Sequence, residues 1–313
     1  MNFRVTASPH AHDSLTTPRI MGDVLIALIP ACAWAVYAYG WRAGVILLLS
    51  IATAVGTEAL IEKLTHKPIT VLDLSAAVTG ALLALNLPAS APLWLPVVGS
   101  AVAIAVVKMC FGGLGHNFMN PALAARSILM VSWPAYMSGA AYTAPTFWKG
   151  VDAVASATPL SGGSYTLMQL FLGQTGGCIG EVSALALIIG FVYLLIRRII
   201  SWRIPVVYTF VVFVMTFLFH DYSLYAATSG ILSGGLLLGA IFMATDYTTS
   251  PMTAWGQIVY ALGCGLLTFV IRFFGSYPEG VSFSILLMNV ATPLIDRAIP
   301  TPFGVKKGGN HGK

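Results

Sequence analysis

The segment Asp152-Ala-Val-Ala-Ser-Ala-Thr-Pro-Leu160 sets a threonine among small neighbours, with an acidic residue close by. Ser156 and Ala157 leave the Thr158 hydroxyl unhindered, so a bulky group, or an enzyme that attaches one, can reach it. The surrounding stretch, about 139 to 180, is long and polar beside the apolar runs on either side. Connections beyond about 12–15 residues are usually functional or disordered. Tyr142, Phe147, Trp148 and Tyr165 favour an ordered lid and could wall a flat ring system. The plainer reading of the same residues is a Ser/Thr turn stopped by Pro159.

A second stretch is Phe111-Gly-Gly-Leu-Gly-His-Asn-Phe-Met-Asn-Pro-Ala122. Its glycines permit a tight turn and a close backbone approach. Asn120-Pro121 then opens a helix, with proline at a favoured first position. Free amides at such a start can bind the polar edge of a ligand. A phosphate-binding P-loop is excluded, because that loop ends in G-K-S/T. The bland alternative is a glycine-rich re-entrant turn.

Intramembrane charge is the third feature. Arg126 lies inside an apolar run, and placing it there costs roughly 2.5–3.5 kcal/mol on insertion scales, so it needs a partner or a wet cavity. Asp73, Asp246, Asp23 and Glu181 stand at helix ends, where acids commonly serve as dipole or cap partners. The alternative for them is an ion or proton path. Glu58 and Glu62, one turn apart, are expected to face the cytoplasm and pair with Lys63 or Lys67. His10 and His12 could share a face of an extended segment, but no further ligands are near. Cys32, Cys110, Cys178 and Cys264 show no metal-ligand spacing and are expected to be small apolar residues.

These residues must be positioned by membrane helices. Of the 313 residues, 57% are hydrophobic and 9% charged, against about 25% charged in soluble domains. Mean hydropathy is +0.84. The net charge of +5 is no nucleic-acid signal, since the basic residues lie at helix ends and termini. No removable signal peptide is evident. Taking about 20 apolar residues per span, we expect ten spans near 23–41, 43–62, 70–88, 93–110, 119–138, 181–200, 204–220, 224–245, 254–272 and 281–299. Pro30 could kink the first. With both termini on one side, that side gathers twelve Lys and Arg residues and the other side three, which predicts cytoplasmic termini and an outward Thr158 loop.

Four pairs of short segments recur at an offset of roughly 160 residues. Ile20-Met-Gly-Asp-Val24 pairs with Cys178-Ile-Gly-Glu-Val182, and Trp41-Arg42 with Trp202-Arg203. Gly80-Ala-Leu-Leu-Ala pairs with Gly239-Ala-Ile-Phe-Met, and Lys108-Met-Cys-Phe-Gly with Arg272-Phe-Phe-Gly. Two five-helix halves follow, inserted with opposite orientation, and such repeats place a site at the interface of the halves. The expected division is 1–138, a loop at 139–180, and 181–313.

D-x-x-x-S-A-T over Asp152–Thr158 and G-G-x-G-x-N-x-x-N-P-A over Gly112–Ala122 resemble segments of one family. It contains the D subunit of the Rnf ion-translocating oxidoreductase and the B subunit of the sodium-pumping NADH:quinone reductase. Ser8-Pro-His-Ala-His12 also recurs in sequences like the Rnf D subunit, and the short stretch ahead of the first span leans the same way. Ala155 departs from the Ser, Thr or Gly frequent in the attachment motif, while the Asp, Ser, Ala and Thr remain. The resemblance implies an all-α, urea-transporter-like membrane fold in a bacterial or archaeal cytoplasmic membrane. It implies FMN joined to Thr158 as a phosphoester, with Asp152, Ser156 and Ala157 as neighbours, and attachment by a flavin transferase. It implies a second, non-covalent flavin, riboflavin, with Asn117 and Asn120 nearby. The partners it implies are membrane lipid and other subunits, including a flavin-bearing and an iron–sulfur subunit. Together these pass electrons between ferredoxin and NAD, coupled to sodium or proton transport. No catalytic residue or metal ligand is expected in this chain, which would be one part of a translocase. Two rivals stand beside this reading: a redox-free channel or carrier of the urea-transporter type, and a scaffold that only anchors redox partners.

Overall fold

The computed structural model describes residues 16–137, 141–147, 159, 165–181, 183–275 and 280–299. Asp152, Ser156, Ala157 and Thr158 lie outside the described residues, as do Trp148, His10 and His12. Among those described there are thirteen α-helices and no strand.

The first group holds α1 (Thr17–Tyr39), α2 (Trp41–Leu64), α3 (Ser75–Leu85), α4 (Trp94–Val102) and α5 (Pro121–Ser132). A π turn over Ala103–Lys108 and a 3₁₀ turn over Met109–Phe111 extend α4. Two short helices follow, α6 (Pro134–Met137) and α7 (Leu167–Leu172). The second group holds α8 (Ala184–Ile196), α9 (Arg203–Phe219), α10 (Leu224–Leu232), α11 (Leu236–Leu238) with a π turn over Gly239–Met243, α12 (Ala254–Phe274) and α13 (Val281–Ala298). Every expected span contains an apolar helix, but their lengths differ. The helices α1, α2, Trp94–Phe111, α12 and α13 are long and apolar enough to cross a membrane. The α10–α11 pair, bent by 61°, adds a sixth if it counts as one span.

Helices α3, α5 and α8 are shorter than the spans expected for them. Local chemistry explains two of these. Leu74 takes a left-handed conformation before α3, with the Asp73 carboxylate accepting from the Ser75 amide and hydroxyl. At the far end the Asn86 amide group turns back onto Leu82 O, just ahead of Pro88. Helix α5 stops at Trp133 before Pro134, because the residue before a proline resists helical geometry. Pro30 sits inside an unbroken α1.

Helix α1 packs on α8 and α5 on α13, joining the two groups. Within the groups, α2 packs on α3 and α4, and α9 on α10 and α12. Two glycines allow the tightest crossings. A Cβ on Gly190 would lie 2.3 Å from Ala27 O, and one on Gly80 would lie 2.8 Å from Ser50 O. Backbones come this close only over small residues, a common device between helices in lipid. In α1 and α2 only 28% of the most apolar eighteen-residue window is buried. The uncovered apolar faces suit lipid or partner subunits.

Candidate functional site

Asn120 caps α5. Its side-chain oxygen accepts from the Ala122 and Leu123 amides, at 3.0 and 3.2 Å. Those amides are therefore satisfied internally, which corrects the expectation that they stand ready for a ligand. The Asn120 amide nitrogen instead donates to Met243 O in the second group, at 3.3 Å. Asn117 does the same work one turn earlier, donating to Met119 O at 3.2 Å and to the Thr248 hydroxyl at 3.0 Å. The two asparagines tie the two groups.

A cavity of about 90 Å³ opens beside them. Val78 and Leu82 of α3 and Ile20, Met21 and Val24 of α1 line one part, and Ile241, Phe242 and Leu194 from the second group line another. Its polar groups come from both sides: Ser75, Lys108, Asn117 and Asn120 from the first, Asp246 and Thr248 from the second. Asp246 accepts from the Thr248 amide and from the hydroxyls of Thr248 and Thr249, at 3.0 to 3.3 Å. It lies beyond the last turn of its helix, and burial pushes its carboxyl up against the pull of those hydrogen bonds. Apolar walls with a few convergent donors and acceptors suit a flat heterocycle with a polar edge.

Asp73 does serve the start of α3, but Glu58, Glu62, Asp23 and Glu181 do otherwise. Lys108 donates to Glu58 Oε1 at 2.5 Å, with both side chains 2% exposed. Glu62 takes the Thr70 amide at 3.0 Å and the Thr70 hydroxyl. Neither pairs with Lys63 or Lys67, because both face protein. Asp23 holds Arg197 at 3.0 Å and accepts from Tyr193 at 2.8 Å, joining α1 to the end of α8. Arg126 is buried, as its cost in lipid requires. It meets Glu181 at 3.2 Å, donates to Asn86 Oδ1 at 2.7 Å and to the Ser282 hydroxyl at 3.2 Å, and lies 3.5 Å from the Cys178 sulfur.

Thr158 lies outside the described residues, but its flanks are placed. The amides of Thr146 and Phe147 donate to Ala38 O near the end of α1, and Phe147 packs on Trp34 and Tyr37. On the far flank, Tyr225 donates to Tyr165 O, and Ile179 and Gly180 donate to Leu87 O and Leu85 O. The cavity touches Ile20 at the opposite end of α1. Eighteen residues separate Ile20 from Ala38, about 27 Å along a straight α-helix. The loop is thus anchored at one end of the helices and the cavity opens at the other.

Sequence reasoning missed Lys108 and Thr248 as cavity residues. Lys108 counts there as a topology charge and the start of a repeated segment, though it falls inside an apolar run, which was the available signal.

A helical protein with several apolar spans, internal ion pairs and a cavity between two helix groups is a multi-pass membrane protein. The chain belongs to the NQR2, RnfD, RnfE family, whose profile matches residues 4–304. It is 52% identical to the D subunit of the Na(+)-translocating ferredoxin:NAD(+) oxidoreductase complex of Acetobacterium woodii, covering 95% of this chain and 93% of that protein. It is 42% identical to the D subunit of the proton-translocating ferredoxin:NAD(+) oxidoreductase complex of Clostridium ljungdahlii, covering 97% of each. With the D subunit of the ion-translocating oxidoreductase complex of Stutzerimonas stutzeri it shares 39% identity, over 91% of this chain and 92% of that one.

Proposed function

We propose that this chain is the membrane-embedded D subunit of an Rnf-type complex, which moves electrons between ferredoxin and NAD and couples them to ion transport. The whole-length relationship to proteins of that name carries the proposal. The coupling ion is open, since one of these relatives is named for sodium and another for protons.

In this reading FMN is held as a phosphoester on Thr158, in a loop on the outer face, with both termini cytoplasmic. The motif Asp152–Thr158 supports the attachment, and the bias of basic residues supports the orientation. A flavin transferase would load the site. Helix pairs α1–α8 and α5–α13 support two related five-helix halves, 1–138 and 181–313, since equivalent helices of such repeats meet across the interface. The urea-transporter-like arrangement is part of the same proposal.

The cavity would hold riboflavin. Val78, Leu82, Ile241 and Phe242 offer apolar surface for its ring, and Lys108, Asn117, Asp246 and Thr248 offer donors and acceptors for its edge. A bound flavin supplies the ability to take and release electrons. The residues around it bind, orient and exclude water. Partner subunits, among them a flavin-bearing and an iron–sulfur subunit, would provide the other redox centres.

The test is in-gel flavin fluorescence of the denatured protein after expression with an active flavin transferase. A fluorescent band that Thr158→Ala abolishes is expected. A dark wild-type band, with the transferase shown active on another substrate, returns the chain to the redox-free channel reading.

A further inference from the structure

The Glu58–Lys108 pair belongs to neither sequence motif, yet its lysine forms part of the cavity wall. Lys108 and Ser75 line the cavity, and Glu58 stands behind them. The Lys108 ammonium donates to Glu58 Oε1 at 2.5 Å and to Ser75 Oγ at 2.6 Å. Ser75 in turn donates to Asp73 Oδ1, also at 2.6 Å. One carboxylate therefore holds the ammonium directly and a second holds it through a hydroxyl. An ammonium has three N–H donors, and the third has no acceptor among the described residues. Glu58 Oε2 likewise has no hydrogen-bond partner among them. A cation kept at the wall of an apolar cavity acts strongly on charge inside it, because the local dielectric is low.

We propose that Lys108 is a positioning and tuning residue for the group in the cavity: its ammonium favours a bound ring bearing negative charge, and Glu58 restrains that preference. This rests on the reading that the cavity takes a flavin. Two electrons and one proton convert neutral oxidised riboflavin to its reduced monoanion. In the complex the electrons come from a neighbouring iron–sulfur or flavin subunit. The added charge shifts the ammonium's attraction from Glu58 toward the ring.

The test is anaerobic equilibrium dialysis of the purified full-length chain in detergent. Riboflavin is supplied in its oxidised form, or reduced by dithionite in mildly alkaline buffer. The wild type is expected to hold the reduced form at least ~10-fold more tightly, equal to about 30 mV for a two-electron couple. Lys108→Met should bring the two affinities together, and Lys108→Arg should keep them apart. Glu58→Gln should widen the ratio. Opposite shifts from the two partners are not expected from simple loss of packing. Should Lys108→Met fail to fold, Lys108→Gln takes its place, and Lys108→Arg decides if Glu58→Gln fails. An unchanged ratio in the Met or Gln variant, with riboflavin still bound, overturns the tuning role and leaves the cavity reading standing. Failure of the wild type to bind either form removes both.

Discussion

Arg126 and Glu181 meet at 3.2 Å across the boundary between the two helix groups, with side chains 1% and 3% exposed. Arg126 comes from α5, and Glu181 precedes α8. The pair joins elements that the sequence keeps 55 positions apart.

Removing one partner should be worse than removing both. Arg126→Met leaves a buried carboxylate without its cation, and losses of this kind cost about 3–5 kcal/mol. The double variant Arg126→Met, Glu181→Leu should recover part of that loss. Thermal unfolding of the three proteins in detergent measures it. Equal or additive losses would show that the two side chains act independently.

Gly190 is where α1 and α8 come closest. Gly190→Ala puts a methyl group 2.3 Å from Ala27 O and should destabilise by about 1–3 kcal/mol, as overpacking does. Gly56→Ala in α2 meets nothing within 4 Å and should be neutral or stabilising by up to about 1 kcal/mol. The difference in melting temperature between the two variants is the readout.

Asp246 predicts a pH dependence. Burial raises its folded pKa above the ordinary aspartate value. Above the unfolded pKa the folded state then binds more protons than the unfolded state, so stability falls as pH rises through that window. Asp246→Asn removes this loss. Its melting temperature relative to wild type should therefore improve from acidic to neutral pH, and a difference that stays flat with pH would contradict the sign.

Arg272 of α12 donates to Gly230 O at 2.7 Å and to Ser233 O at 3.3 Å, at the bend between α10 and α11. Hydrogen bonds to charged groups contribute about 1.5–3 kcal/mol, so Arg272→Leu should loosen this bend. Hydrogen exchange at residues 230–238 should rise, with little change in α2. Unchanged exchange there would show that helix packing alone sets the bend.

Helices α1, α2, α12 and α13 are legible in the sequence because each is a long apolar run whose ends coincide with turn residues. The lengths of α3 and α5 are not. Hydropathy sums side chains, whereas Leu74, Asn86 and Trp133-Pro134 stop helices through backbone geometry inside an apolar stretch. That Arg126 needs a partner follows from its desolvation cost, but Glu181 reads as a helix cap because sequence carries no sign of long-range pairing. The asparagines of the glycine-rich segment stand out by their pattern. Their hydrogen bonds are not legible, because nothing local reveals that Asn120 turns its own oxygen onto the helix start and its nitrogen onto Met243.

The π turn at Ala103–Lys108 fixes where the buried ammonium can be. A π turn closes its hydrogen bonds over five residues instead of four. Wound as ordinary α-helix, the same six residues would turn further about the axis by roughly one residue's advance. Each α-helical residue advances the chain by roughly 100° about the axis. Everything from Lys108 to Phe111 would then be rotated by that amount, carrying Lys108 away from Glu58 and Ser75. The angular phase of the last turn of α4 therefore decides whether this positive charge meets its partners.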